Sequence, residues 1–384
     1  MTLSQTLAQK PLYSEHIDVT RMPRAYGALK DALLVPPIVH VVGTNGKGST
    51  GRFLAWMLKT QGKRVGHYTS PHLRTFNERF WCDGTLVCDA TLEALHVRLQ
   101  TLLPISLAHE LSYFEYATFL AILAFEACDV VVLEAGLGGE WDATNVFPKV
   151  LSIITPIGMD HQAFLGETLG EIAGTKLRSI TTTTVLAPLQ DAEVLTIAKA
   201  QAQVKEVALV HPETVVSQAT NEEIMAYLER TGLPAFFKEN LQTAYTAARM
   251  LGVSPKLSSL PALDLRARHE KVAPNIVIDC GHNPMAALAL FHALREEQYI
   301  LLYNSYLDKE IPTILEILKP KIKEVRLMPL PYRGRKTGET VVVETLERLG
   351  IPQGEFTWEF DPKEQYVVFG SFAVVERFLE EMNA

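Results

Sequence analysis

Short unbroken apolar runs, separated by segments of helical period, organise this chain. The run that sets the frame is residues 38–58, IVHVVGTNGKGSTGRFLAWML. Apolar and β-branched positions lead up to Val42. Gly43, Gly46 and Gly48 then alternate with Thr44, Asn45 and Lys47, and apolar periodicity resumes from Phe53. The pattern predicts a buried strand, a glycine loop and a helix. An amphipathic helix is expected before it, around 21–32, stopped by Pro36 and Pro37. After it, residues 64–68 read as a second strand with Pro71 forcing a turn at its end. Residues 78–82 and 85–88 flank Asp83-Gly84, a two-residue hairpin signal. Helices are expected at 90–103 and 112–127. Residues 130–133 form a continuous apolar run, as in a parallel strand covered on both faces, and 151–155 form another.

A helix is expected at 171–179, and alternation continues through 184–188, 206–209, 221–230 and 238–251. Residues 252–263, GVSPKLSSLPAL, are punctuated by proline and serine and read as a linker. The pattern then restarts, with strands at 276–279, 299–303, 323–328 and 366–369 and helices at 284–297, 310–318, 339–349 and 371–382. The fold class is therefore α/β, a P-loop-containing parallel-sheet domain over 1–262 followed by a smaller Rossmann-like βα domain over 263–384. The carboxyl edges of the two sheets could face one another across a cleft, a preferred place for a ligand.

Composition narrows the function classes. At 384 residues the chain is long for one core, which agrees with two domains. A net charge of −8 argues against a broad electrostatic grip on nucleic acid or an anionic membrane, so an anionic ligand must be held by local groups. Cys82, Cys88, Cys128 and Cys280 lack metal-ligand spacing and read as reduced thiols of a cytoplasmic protein. The N-terminus lacks a signal-peptide pattern, and no apolar run approaches membrane-spanning length.

The candidate chemistry sits where strands end. The glycine loop, with its exposed N–H groups, the helix dipole and Lys47, forms an anion site, and Ser49 and Thr50 offer hydroxyls to a phosphate-bound Mg²⁺. Its spacing, G-x-x-G-K-G-S-T, is tighter than the common P-loop pattern. The alternative is a glycine turn with a solvated lysine. Glu134 ends the 130–133 run, the usual place for a metal- or water-positioning acid, although a solvated glutamate would also fit. Gly136, Gly138 and Gly139 suggest backbone passing close to a ligand. Asp160 and His161 follow the next strand, where a lone histidine is more often structural than ligating.

The ordered set GTNGKGST, TSPHLRTFNERF, SYFEYAT, LEAGLGGEWDATN, DHQAFLG, RHE, DCGHNP and GSF resembles the folylpolyglutamate synthase/dihydrofolate synthase family, within the Mur ligase superfamily. GTNGKGS alone would leave the superfamily open, whereas SPHL…FNER with GLGG and DATN is much more specific for the folate branch. The resemblance implies an ATP-dependent ligase that adds L-glutamate to dihydropteroate, to tetrahydrofolate, or to both, through an acyl phosphate. It implies ATP held by Gly43, Thr44, Asn45, Gly46, Lys47, Gly48 and Ser49, and Mg²⁺, in two ions, held by Ser70, Glu134 and His161. Lys176 takes the place of a lysine that is carbamylated in the family and joins the metal site. From the C-terminal domain it implies nucleotide contacts by Asn240, Arg268, Asp279, His282 and Asn283. Pterin contacts are implied for Arg21, Ser112, Tyr113, Phe114, Glu115, Asp142 and Ala143. A cytoplasmic monomer is expected, without nucleic acid or membrane partners.

Three motifs depart from the family pattern. Thr175, Leu177 and Arg178 flank Lys176 in place of the usual E-K-A-G-I. Glu140 replaces the arginine after GLGG. Arg266-Ala267-Arg268 replaces P-G-R, where the following His269-Glu270 favours Arg268. The alternatives are a Mur-type cell-wall amino-acid ligase, against which FNER and DATN argue, and a non-catalytic ATP-binding switch, which would have lost Lys47, Glu134 or His161.

Overall fold

The structure, a computed structural model, describes residues 1–11, 18–295, 298–330 and 335–382. The chain separates into two compact units. The first comprises Met1–Ile157, Gly170–Tyr227 and Lys238–Leu263; the second comprises Gly158–Leu169, Leu228–Phe237 and Asp264–Ala384. The segments 158–169 and 228–237 thus belong with the second unit, whereas a single cut after residue 262 leaves them in the first.

The first unit is built on eight strands: β1 (Ile38–Val42), β2 (Val65–Tyr68), β3 (Phe80–Cys82), β4 (Thr85–Leu86), β5 (Val130–Glu134), β6 (Leu151–Ile154), β7 (Thr184–Leu186) and β8 (Leu209–Val210). Their order is β4-β3-β2-β5-β1-β6-β7-β8. From β2 to β8 every neighbour is parallel, while β3 and β4 extend the edge as an antiparallel hairpin. Asp83 and Gly84 turn that hairpin with φ of 47° and 101°, the left-handed region an Asp-Gly pair tolerates. The central strands β1, β5 and β6 are buried throughout, which is why they lack polar alternation. The Tyr113–Ala124 helix covers one face with Tyr116, Phe119, Leu120 and Leu123 in the core. Each such side chain contributes about 1.5–3 kcal/mol on burial.

The second unit has β9 (Glu270–Ala273), β10 (Ile276–Ile278), β11 (Tyr299–Tyr303), β12 (Ile322–Leu327), β13 (Gln353–Gly354) and β14 (Tyr366–Phe369), ordered β13-β12-β11-β14-β10-β9. All pairs are parallel except β9 on β10.

Several elements differ from expectation. β9 is an unforeseen edge strand, half-exposed and polar enough to carry no apolar signal. The Leu3–Ala8 and Ile105–Glu110 helices also went unpredicted, being too short for a periodic pattern. Residues 76–79, FNER, form a 3₁₀ turn, so β3 begins at Phe80 and not at Glu78. The early helix ends at Leu29 and not at 32. The Pro284–Ala293 helix stops short of the expected 297, and residues 296 and 297 lie outside the described residues. Among the described residues no helix is long and apolar enough to cross a membrane.

Candidate phosphate loop and metal-ligand residues

In the first unit the loop between β1 and the Lys47–Lys59 helix is held from three sides. Gly46 caps the helix at φ 81°, a left-handed geometry that glycine adopts at no steric cost. The amides of Thr44 and Asn45 both donate to the Pro156 carbonyl, at 3.0 and 3.3 Å. Those two N–H groups, expected to face an anion, are therefore engaged by the protein. The donors that remain belong to the first helical turn, whose N–H groups have no intrahelical acceptor. Lys47 is not a solvated lysine: its Nζ donates to the carbonyls of Gly43 and Thr44, 3.2 Å each. Lys176 is buried, and its Nζ donates to the Gly43 carbonyl at 3.0 Å. At Gly43 a Cβ would stand 1.9 Å from Thr155 Oγ1, so no larger residue fits. Asn240 belongs to this first unit, on the Phe237–Met250 helix, and its Oδ1 would lie 2.9 Å from a Cβ at Gly46. Its assignment to the C-terminal domain is corrected accordingly.

Glu134 is the last residue of β5, buried beside Val41 of β1. The parallel register of β2 on β5 carries Ser70 to the same edge, where its N–H donates to Glu134 Oε2 at 3.2 Å. A buried carboxylate offers hard oxygen donors, which fits Mg²⁺. The solvated reading of Glu134 does not hold. The third expected ligand, His161, is in the second unit.

The residues expected at the pterin are also structural partners of one another. Ser112 caps the Tyr113–Ala124 helix, and Glu115 completes the capping box by accepting from the Ser112 N–H at 2.7 Å. The other partner of Glu115 Oε2 is Arg21 Nε, at 2.6 Å. Asp142 Oδ1 accepts from the N–H and hydroxyl of Thr144, and Oδ2 from the Leu137 N–H at 2.8 Å. Burial pushes the Asp142 carboxyl up, against these hydrogen bonds. Ala143 follows it in a buried 3₁₀ turn. At two of the GLGG glycines protein itself comes close: a Cβ at Gly136 would meet the Phe114 ring at 2.6 Å, and one at Gly139 the Lys176 carbonyl oxygen at 2.7 Å.

One group escaped the sequence reading. Arg79 is buried, donates from Nε to His72 Nδ1 at 2.8 Å, and lies over the Tyr113 ring at 5.4 Å. Burial next to Arg79 lowers the His72 pKa to about 4, so the ring is neutral and able to accept. The Tyr68 and Phe114 rings lie 5.8 Å apart, tilted at 33°. The FNER motif carried this arginine, but its partner His72 lies across a turn that the sequence did not describe. Glu78 shapes that turn by accepting from the amides of Leu73, Arg74 and Thr75.

The second unit gathers its own polar cluster. One ligating atom each from Asp160, His161 and His282 lies within 4.8 Å of the others. Lys309 Nζ, however, stands 2.6 Å from Asp160 Oδ1, and Asn283 Nδ2 donates to Oδ2 at 3.2 Å. Burial opposes ionisation of Asp160, but His282, His161 and Lys309 hold its carboxyl far below the usual range. The carboxylate is thus balanced by a fixed cation. Asn283 also caps the Pro284–Ala293 helix through the Ala286 N–H. His161 takes a left-handed conformation at φ 53°. Asp279 accepts from the His269 and Gly281 amides at 2.9 and 2.7 Å, shaping the turn after β10. Arg268 contacts Cys280 and lies 5.2 Å over Phe372, whereas Arg266 pairs with Glu270 near the surface.

No protein-family model matches the chain. A dihydrofolate synthase/folylpolyglutamate synthase of Escherichia coli is 30% identical over 97% of this chain and 93% of its own. A Haloferax volcanii protein, named probable bifunctional folylpolyglutamate synthase/dihydropteroate synthase, is 32% identical over 71% of this chain, which spans only 36% of that longer protein. The crystal structure of Helicobacter pylori folylpolyglutamate synthetase is 38% identical, with a TM-score of 0.80 over 99% of this chain and 98% of that one. A bifunctional folylpolyglutamate synthase/dihydrofolate synthase with Mn, AMPPNP and L-glutamate bound is 25% identical, with a TM-score of 0.82 over 100% and 98%. With its glycine loop and strand-end residues in the order that first suggested the resemblance, and with identity extending over nearly the full length of both chains, this protein belongs to the dihydrofolate synthase/folylpolyglutamate synthase family.

Proposed function

We propose that the protein is an ATP-dependent ligase that joins L-glutamate by an amide bond to a folate-type acceptor, either dihydropteroate, tetrahydrofolate or both, as a cytoplasmic monomer. The observation that carries this reading is the loop 43–49, braced by Lys47 and Lys176 and set beside Glu134 and Ser70, in a chain of this family. A carboxylate is a poor acyl donor because its oxygen leaves as a strong base. Transfer of the γ-phosphoryl group of ATP to it gives an acyl phosphate, from which phosphate leaves. The α-amine of glutamate then attacks the acyl carbon and forms the amide. The first-turn amides and Lys47 stabilise charge developing on the transferred group.

Ser70, Glu134 and His161 would hold Mg²⁺, in two ions, and Mg²⁺ when bound would neutralise phosphate charge. A carbamate on Lys176 would add an anionic oxygen, and its retained N–H could still donate to Gly43. Arg268, Asp279, His282 and Asn283 are assigned to the nucleotide and glutamate, with Asn240 serving the loop from its own unit. Tyr113, Phe114, Asp142 and Ala143 are assigned to the pterin, with Arg21, Ser112 and Glu115 positioning their helix. The test is ATP-dependent incorporation of labelled glutamate with dihydropteroate and tetrahydrofolate as rival acceptors. Incorporation into either supports the reading. ATP hydrolysis independent of both acceptors, without incorporation, would overturn it.

A further inference from the structure

Two cysteines in the first unit lie close together far from the phosphate loop in the sheet. Cys82 ends β3 and pairs with Gly66, near the start of β2. Cys128 lies just before β5, on a segment tied to the start of β2 by reciprocal bonds between Arg64 and Asp129. Both therefore sit at the amino-terminal edge of the parallel strands, whereas Ser70 and Glu134 sit at the carboxyl edge. Their Sγ atoms are 3.8 Å apart, although the residues are 46 positions apart in the chain. A disulfide requires about 2.05 Å, so closure needs only a small approach of the two sulfurs. Cys82 is partly exposed and Cys128 is 8% exposed, which lets an oxidant reach the first with the second behind it. Cys88 is exposed, with its sulfur 3.2 Å from the Thr91 hydroxyl, and Cys280 is buried in the second unit.

We propose that Cys82 and Cys128 form a dithiol site that closes reversibly to a disulfide under peroxide. In the first step the Cys82 sulfur attacks hydrogen peroxide; the O–O bond breaks, Cys82 becomes a sulfenic acid and one water leaves. In the second, the Cys128 sulfur attacks the Cys82 sulfur, the S–O bond breaks, and a second water leaves with the Cys128 proton. A dithiol reductant returns both thiols by exchange. The division of labour agrees with the surroundings: the Cys128 hydrogen bond and the Arg64 charge bring the Cys82 thiol down to about 7, while Cys82 and burial push Cys128 up. The bridge would enclose the helices between β4 and β5, restrict the unfolded chain and leave the carboxyl edge untouched.

The test uses the reduced, folded full chain treated with hydrogen peroxide, followed by alkylation of free thiols and peptide mapping by mass. The expected result is a Cys82–Cys128 linked peptide, with Cys88 and Cys280 alkylated, a melting temperature several degrees higher, and reversal of both by dithiothreitol. In Cys128→Ser the link and the thermal shift disappear, and a 1,3-dicarbonyl probe traps sulfenic acid at Cys82. Recovery of both cysteines alkylated from the treated wild-type chain, or accumulation of sulfinic acid at Cys82 without the link, would overturn the proposal. The mapping on the wild-type chain stands even if the variant fails to fold.

Discussion

Lys176 reaches across 133 positions of sequence to donate from Nζ to the carbonyl oxygen of Gly43, the first residue of the phosphate loop. The same oxygen accepts from Lys47, so one carbonyl collects two lysines. Gly139 packs against the Lys176 backbone, which places the GLGG loop, the Leu169–Leu177 helix and the phosphate loop in one contiguous assembly.

If Lys176 is carbamylated, exhaustive removal of bicarbonate lowers glutamate ligation and bicarbonate restores it. Lys176→Ala is expected to be inactive and partly rescued by acetate. It should also lose about 1–3 kcal/mol of stability, because the burial site is vacated. Lys176→Met keeps the volume and separates packing from chemistry. Normal turnover of Lys176→Ala in bicarbonate-free buffer would sink the catalytic assignment.

Lys47→Ala is expected to reduce ligation by several decades, on the order of 4 kcal/mol of transition-state stabilisation. One of its two carbonyl acceptors, Gly43, also accepts from Lys176, so the stability loss should stay near 1 kcal/mol by denaturant titration. A variant that keeps a tenth of wild-type turnover would show that the lysine only braces the loop.

Glu134→Gln and His161→Ala are expected to raise the Mg²⁺ concentration for half-maximal activity at least tenfold. Glu134→Gln retains an oxygen that can accept from Ser70, so its fold should survive. Unchanged Mg²⁺ dependence in both variants would make the two residues structural.

Stability should fall on acidification well before the carboxylates titrate. Burial lowers His40 and His67 well below 6.5, and lowers His72 and His269 to about 4. Each contributes stability that is fully present above its unfolded value of 6.5 and is lost as pH falls through the folded value. The slope is about 1.4 kcal/mol per pH unit for each histidine in that window. Denaturant midpoints measured from pH 7.5 to 5 should hold down to about 6.5 and drop below it, and His72→Gln should drop less steeply. A flat profile would show that these rings are not held neutral.

The local signals in the chain were enough for its α/β architecture. Strands β1, β5 and β6 are buried on both faces, so their composition alone marks them, and the glycines before Lys47 mark the turn into a helix. Serine, asparagine and proline at helix starts act within a few residues and are equally local. What joins the polar groups carries no such period. That Lys176 meets Gly43, Arg21 meets Glu115, Arg79 meets His72, and Lys309 meets Asp160 follows from strand order and helix placement. A charged side chain in isolation reads as solvated. Only the packed chain removes its water and supplies the partner that burial then requires, and for that reason the tertiary structure decided which lysines, acids and histidines are held in place.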